Sequence, residues 1–105
     1  MGYIHALCAV VFNMTHHPSR NPAIITREVI YEMVLLNPEK PDSPLLLNET
    51  AVHVWMLLDG THSLADVVEI IAFEFDVPTV QIESDILELF QKLVSMGALI
   101  NVYAG

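Results

Sequence analysis

Cysteine and positive charge are what this 105-residue chain has least of. A single cysteine, Cys8, excludes an internal disulfide and suits a reducing compartment, so a cytoplasmic setting is expected. No catalytic motif surrounds Cys8, and it reads as a small apolar side chain. Only four bases, Arg20, Arg27, Lys40 and Lys92, stand against 13 acids, for a net charge of −9. Beyond residue 51, Asp59, Asp66, Glu69, Glu74, Asp76, Glu83, Asp85 and Glu88 are opposed by Lys92 alone. Such a surface repels phosphate backbones and anionic head groups, which argues against nucleic acid and membranes as partners. The glycines, Gly2, Gly60, Gly97 and Gly105, are too scattered to form a phosphate loop. The apolar run at residues 4–12 is too short to cross a bilayer and lacks the basic flank of a signal peptide.

Catalytic patterns are missing too. No serine sits on a nucleophile elbow. His16 and His17 are adjacent but lack a third ligand, so no metal site is expected. His53, inside an apolar helix, reads as a partly buried structural residue, and His62 in a tight turn as a solvated one. Glu74 and Asp76 flank a helix end and need no catalytic role. Neither an enzyme nor a cofactor is expected.

Apolar residues, in contrast, are abundant at 53% of the chain. A single small domain cannot hide all of them, so apolar surface should remain for a partner. Residues 1–19 read as an N-terminal extension ending in a loop-like segment, and residues 20–105 as the domain. Residues 23–26 make one plausible strand. In residues 27–36 the apolar Val29, Tyr31, Met33 and Leu35 alternate with Glu28 and Glu32, predicting a second strand with one buried face. Pro38, Pro41 and Pro44 then enforce a turn, and Leu45, Leu46 and Leu47 supply a returning strand.

Three helices follow. Asn48 is a good N-cap for the first, from Glu49 to about Leu58, with Gly60 as its left-handed end. Its apolar residues surround it, which marks a central helix. Ser63 and Asp66 form a capping box for the second, with a stripe of Leu64, Val67, Val68, Ile71 and Phe75. Residues 76–78 break it. The third runs from about Thr79 to Met96 and closes at Gly97, and residues 98–103 suggest a last extended segment. The apolar residues of the third helix span about 200° of its circumference, whereas one-sided packing needs an arc nearer 100°. Either two layers clasp this helix, or one apolar flank meets something outside the domain. Short strands followed by three helices suggest an α+β winged helix-turn-helix. The fold would favour DNA, but a third helix with Lys92 as its one base lacks the phosphate contacts that DNA requires.

The ordered set of a strand running into LNETA, then a Trp and LLDG, a Ser-capped helix, FDVP, SDILELF and a closing Met-Gly resembles the PqqD family of peptide chaperones, also called RiPP precursor peptide recognition elements. The resemblance covers roughly residues 20–101. It implies a winged helix-turn-helix with a three-stranded antiparallel sheet packed on three helices, and no catalysis. It further implies binding the leader of a ribosomally made precursor peptide and presenting it to a tailoring enzyme, often a radical SAM protein; quinone cofactor (PQQ) biosynthesis is one such pathway. The leader would enter as an added strand between the third strand and the third helix. Carried over by position, Leu45, Leu46 and Leu47 would form one wall of that groove, and Ile82, Asp85, Ile86, Leu89 and Leu93 the other. Residues 1–18 and the proline-rich turn depart from the family pattern. The alternative is a protein–protein interaction or oligomerisation module, such as a homodimer, whose groove is filled by its own N-terminal segment or a second copy.

Overall fold

The computed structural model describes residues 17–100. It is an α+β fold: a three-stranded antiparallel sheet, three helices, and a short two-stranded ribbon joining the ends of the described chain. Ser19–Arg20 is β1, Ile25–Val29 β2, Glu32–Leu36 β3 and Leu45–Leu47 β4. The helices are α1 (Glu49–Leu57), α2 (Leu64–Glu74) and α3 (Thr79–Ser95), followed by β5 (Leu99–Ile100). The sheet order is β2-β3-β4, with Val29 opposite Glu32 and Leu35 opposite Leu45. Cys8, His16, the apolar run at residues 4–12 and the expected extension of the last strand over residues 101–103 lie outside the described residues. No helix of the described chain is long and apolar enough to cross a membrane.

The expected single strand over residues 27–36 is instead a hairpin. The chain reverses at Ile30 and Tyr31, and Tyr31 takes a left-handed φ of 62°. Only Met33 and Leu35 of the alternating apolar set are buried, whereas Val29 and Tyr31 are exposed. The turn carries none of the Gly, Asn, Asp or Pro that usually mark a two-residue hairpin, so three consecutive apolar residues concealed it.

The helix ends follow their caps. Asn48 Oδ1 accepts from the Ala51 N–H at 2.9 Å. Ser63 and Asp66 exchange side-chain and backbone hydrogen bonds in a full capping box, at 3.0 and 3.1 Å. Each of α2 and α3 closes with the paired hydrogen bonds of a Schellman motif, at Asp76 (φ 54°) and Gly97 (φ 75°) respectively. Gly60 is left-handed as expected, but it lies beyond the α1 cap at Leu58. Its N–H donates to Pro18 O at 3.0 Å, and an added Cβ would lie 2.5 Å from Ser19 Oγ, so Gly60 docks β1 and does not close α1. The end of α1 is capped from a distance: Arg20 donates from Nη1 to Trp55 O at 2.9 Å and to Met56 O at 2.8 Å.

One core joins Met33, Leu35 and Leu47 of the sheet with Val54, Trp55 and Leu58, the α2 stripe, and Ile86, Phe90 and Leu93 of α3. In α1 only Val54 and Trp55 are buried, while Met56 and His53 are exposed, so the helix is less central than its composition predicts. His53 lies on the surface, edge-on to the Phe75 ring at 5.3 Å, with Nδ1 3.4 Å from Glu74 Oε1.

Candidate functional site

β4 has β3 on one side only, so its other edge is unpaired among the described residues. Backbone N–H and C=O groups along such an edge are ready to pair with an incoming strand. Facing that edge across a groove of about 340 Å³ is α3. Leu45 and Leu46 form one rim, Asn48, Thr50, Ala51 and Val54 of α1 the base, and Ile82, Asp85, Ile86, Glu88, Leu89 and Lys92 the far wall. The groove continues past Leu45, Glu88 and Lys92 into a wider mouth of about 800 Å³, bounded by Lys40, Ser43 and Pro44 of the β3–β4 loop and by Gln91, Val94, Ser95 and Met96.

Local sequence explains why the walls stay apart. Asn48 ends the strand and starts α1 at once, so the base of the groove is a helix start that cannot close over β4. The β3–β4 loop is tied to the far end of α3. Asn37, 6% exposed, donates from Nδ2 to Met96 O at 2.8 Å, and Lys40 Nζ donates to Ser95 O at 3.0 Å. A buried amide tied in this way holds the loop, and with it the start of β4, at a set distance from α3. The wide apolar arc of α3 divides between the core and the groove. Ile86, Phe90 and Leu93 enter the core, Leu87 and Val94 pack partly against it, and Ile82 and Leu89 open into the groove.

Six of the eight expected site residues meet here: Leu45, Leu46, Ile82, Asp85, Ile86 and Leu89. The side chains of Leu47 and Leu93, at 1% and 0% exposure, lie in the core behind the walls, so Leu47 can meet a ligand only through its backbone on the β4 edge. Strand alternation accounts for the leucines: Leu46 is 59% exposed, opposite in facing to Leu47. The residues not named from sequence are Thr50, Ala51 and Val54 beneath the groove, and Glu88 and Lys92 on its wall. Glu88 and Lys92 lie three and seven residues beyond Asp85, on the same helix face, so helical spacing from Asp85 was the signal that identifies them.

The remaining polar cluster is structural. Asp59 Oδ1 accepts from the Thr61 hydroxyl at 2.6 Å and the Thr61 N–H at 2.9 Å, and lies 3.1 Å from His62 Nδ1. These bonds, the Thr61 hydroxyl foremost, hold the Asp59 carboxyl below the usual carboxylate range and shape the turn between α1 and α2. His62 is thus half-buried and bonded to Asp59, where its sequence suggested simple solvation.

The family model described as coenzyme PQQ synthesis protein D (PqqD) matches residues 32–99. Among named relatives, a PqqA binding protein of Xanthomonas euvesicatoria pv. vesicatoria is 40% identical over 62 residues, which is 59% of this chain and 64% of the relative. A PqqA binding protein of Gluconobacter oxydans is 30% identical over 61 residues, 58% of this chain and again 64% of the relative. The match thus spans a little under two thirds of these relatives' length. Among solved structures, TbiB1 in complex with the TbiA(beta) leader peptide has the same fold, with a TM-score of 0.68 at 22% identity over 83% of this chain and 99% of that one.

Proposed function

This chain belongs to the PqqD family, and on that premise we propose that it is a non-catalytic chaperone for a ribosomally made precursor peptide. The leader enters the groove as a strand added to β4, and the complex is presented to a tailoring enzyme, a radical SAM protein being the expected kind. The observation that carries this reading is the pairing of a strand edge unpaired among the described residues with a facing helix whose half-buried apolar residues Ile82 and Leu89 line the groove, with Ile86 buried behind them. Main-chain hydrogen bonds to the edge supply affinity, and the apolar wall receives alternate side chains of the peptide. Along α3 the lining runs from Ile82 to Met96, about 21 Å at ~1.5 Å per residue. At ~3.4 Å per residue that holds a strand of about six residues. Named relatives described as PqqA binding proteins, and a structural neighbour described with a leader peptide, support the same reading.

In this proposal the α1–α3 helices and the β2–β3 hairpin are a winged helix-turn-helix turned from nucleic acid to peptide. Residues 20–105 are the peptide-binding domain and residues 1–19 an extension. β1 lies against β5 and Asp59, among residues that share no lining with the groove.

The test is an NMR titration of isotope-labelled protein with peptides translated from small reading frames beside its gene, with duplex DNA as a control. Saturable shifts along β4 and α3 for one peptide and none for DNA are expected. Absence of shifts with every peptide, together with dimers that dissociate when residues 1–18 are deleted, contradicts the proposal and favours the self-associating module.

A further inference from the structure

The groove changes sign along its length. Asp85 lies on its wall nearer the start of α3, Glu88 borders both parts, and two of the chain's four cations, Lys92 and Lys40, stand with Glu88 at its wide mouth, where the balance turns positive. The other two cations are elsewhere: Arg20 is bound to α1 carbonyls, and Arg27 is on β2, the edge strand farthest from β4. In a chain of net charge −9, two lysines gathered at one end of one groove need a reason. Folding explains Lys40 in part, since its Nζ donates to Ser95 O at the C-terminal end of α3, where a cation is favoured. That bond uses one of three ammonium donors. Lys92 is exposed and makes no ion pair among the described residues, although Glu88 lies one turn before it.

We propose that the segment taken up by this groove carries an acidic side chain, Asp or Glu, that seats against Lys92 and Lys40, two or four residues from the apolar side chain it places over Ile82 and Leu89. The inference rests on the strand-addition reading and adds the chemistry of the client. The register follows from geometry. Lys92 is six residues from Ile86, about 9 Å along α3. Side chains on one face of a strand recur every ~6.8 Å, and a lysine stem reaches several ångströms further, so the residue two or four positions along on the same face meets it. A peptide with a cation there would face two lysines. One with an uncharged residue would leave Lys92 solvated and gain nothing at the mouth. The net negative charge of the rest of the protein opposes acidic peptides in general, so the preference is local to that register.

Peptide display separates this from the reading beneath it. Randomised twelve-residue peptides are selected on the intact protein, on Lys92→Glu, and on Arg27→Glu, which changes net charge equally but lies outside the groove. The wild type and Arg27→Glu are expected to enrich a spaced apolar residue and acid, and Lys92→Glu to replace the acid with Lys or Arg at the same spacing. An individual Glu peptide should lose about fivefold in affinity against Lys92→Glu, with less loss in high salt. Enrichment of spaced apolar residues with no acid preference, or an acid preference that Lys92→Glu leaves unchanged, overturns the proposal while strand addition stands. No enrichment, or a groove closed by a second copy in sedimentation, overturns both. Thermal melting that matches the wild type confirms that each variant is folded.

Discussion

Leu46 and Leu47 are adjacent, chemically identical and opposite in role, which makes them a sharp test of how the groove is built. Leu47 is 1% exposed and packs into the shared core, so Leu47→Ala removes three buried carbons and leaves a cavity beneath β4. The expected loss is about 3 kcal/mol. A domain of this size has about 4–13 kcal/mol in all, and at about 4–8 °C per kcal/mol the melting temperature should fall by about 12–24 °C. Leu46 is 59% exposed on the groove rim, and Leu46→Ala should cost about 0.5 kcal/mol or less. Its effect should be on peptide affinity, about 1 kcal/mol or roughly fivefold in Kd, from apolar area that only a bound strand covers. Trp55, the one tryptophan, is 3% exposed, so its fluorescence reports unfolding of both variants directly. A melting temperature that falls equally for the two, or that does not move for Leu47→Ala, refutes the assignment of facings on β4.

Gly97→Ala forces a side chain into a left-handed position, at about 1–2 kcal/mol, and sets its Cβ 2.9 Å from Asn37 Nδ2, whose bond to Met96 O holds the loop; urea unfolding should show the loss, and Asn37→Ala should reproduce part of it. Arg20→Ala removes two charge-assisted bonds to α1 carbonyls, so a loss of about 1–2 kcal/mol is expected in the same assay, with little change for Arg27→Ala. The Asp66 carboxyl is held below its usual pKa, first by the Ser63 N–H and then by the Ser63 hydroxyl. Because the folded pKa is depressed, this contribution is complete above the ordinary carboxylate value near 4 and is lost as pH falls through the lower folded value. Asp66→Asn should therefore flatten the acid limb of a melting-temperature profile, and an unchanged limb would contradict the cap's role.

The helices were legible because local chemistry and packing agree there. Asn48, Ser63 with Asp66, and Gly97 all act as their sequence positions predict, and α2 buries the core of its expected stripe. The β2–β3 turn was not legible, because Ile30 and Tyr31 carry no turn signal and the sheet register imposes a left-handed tyrosine on them. Arg20 was also hidden: its partners are 35 and 36 residues away, and no local pattern joins a strand arginine to a distant helix end. For the groove, the surplus apolar flank of α3 was visible as pattern, and the open edge was implied only by the family resemblance. The side chains of Leu47 and Leu93 turn inward: strand alternation required one set of the leucines to be buried without saying which, and a broad apolar arc does not by itself say which residues face the core. Lys92 was counted as a lone charge until the fold set it beside Lys40.

The central claim is that a peptide joins the sheet at β4, and intermolecular NOEs in a complex of labelled protein with a selected peptide test it most directly. Cross-strand contacts from the peptide backbone to the Leu45–Leu47 backbone, with slowed amide exchange there and side-chain contacts to Ile82 and Leu89, are the predicted result. A peptide that binds saturably but shows its backbone contacts at β2, or side-chain contacts with no backbone pairing to β4, would contradict the account.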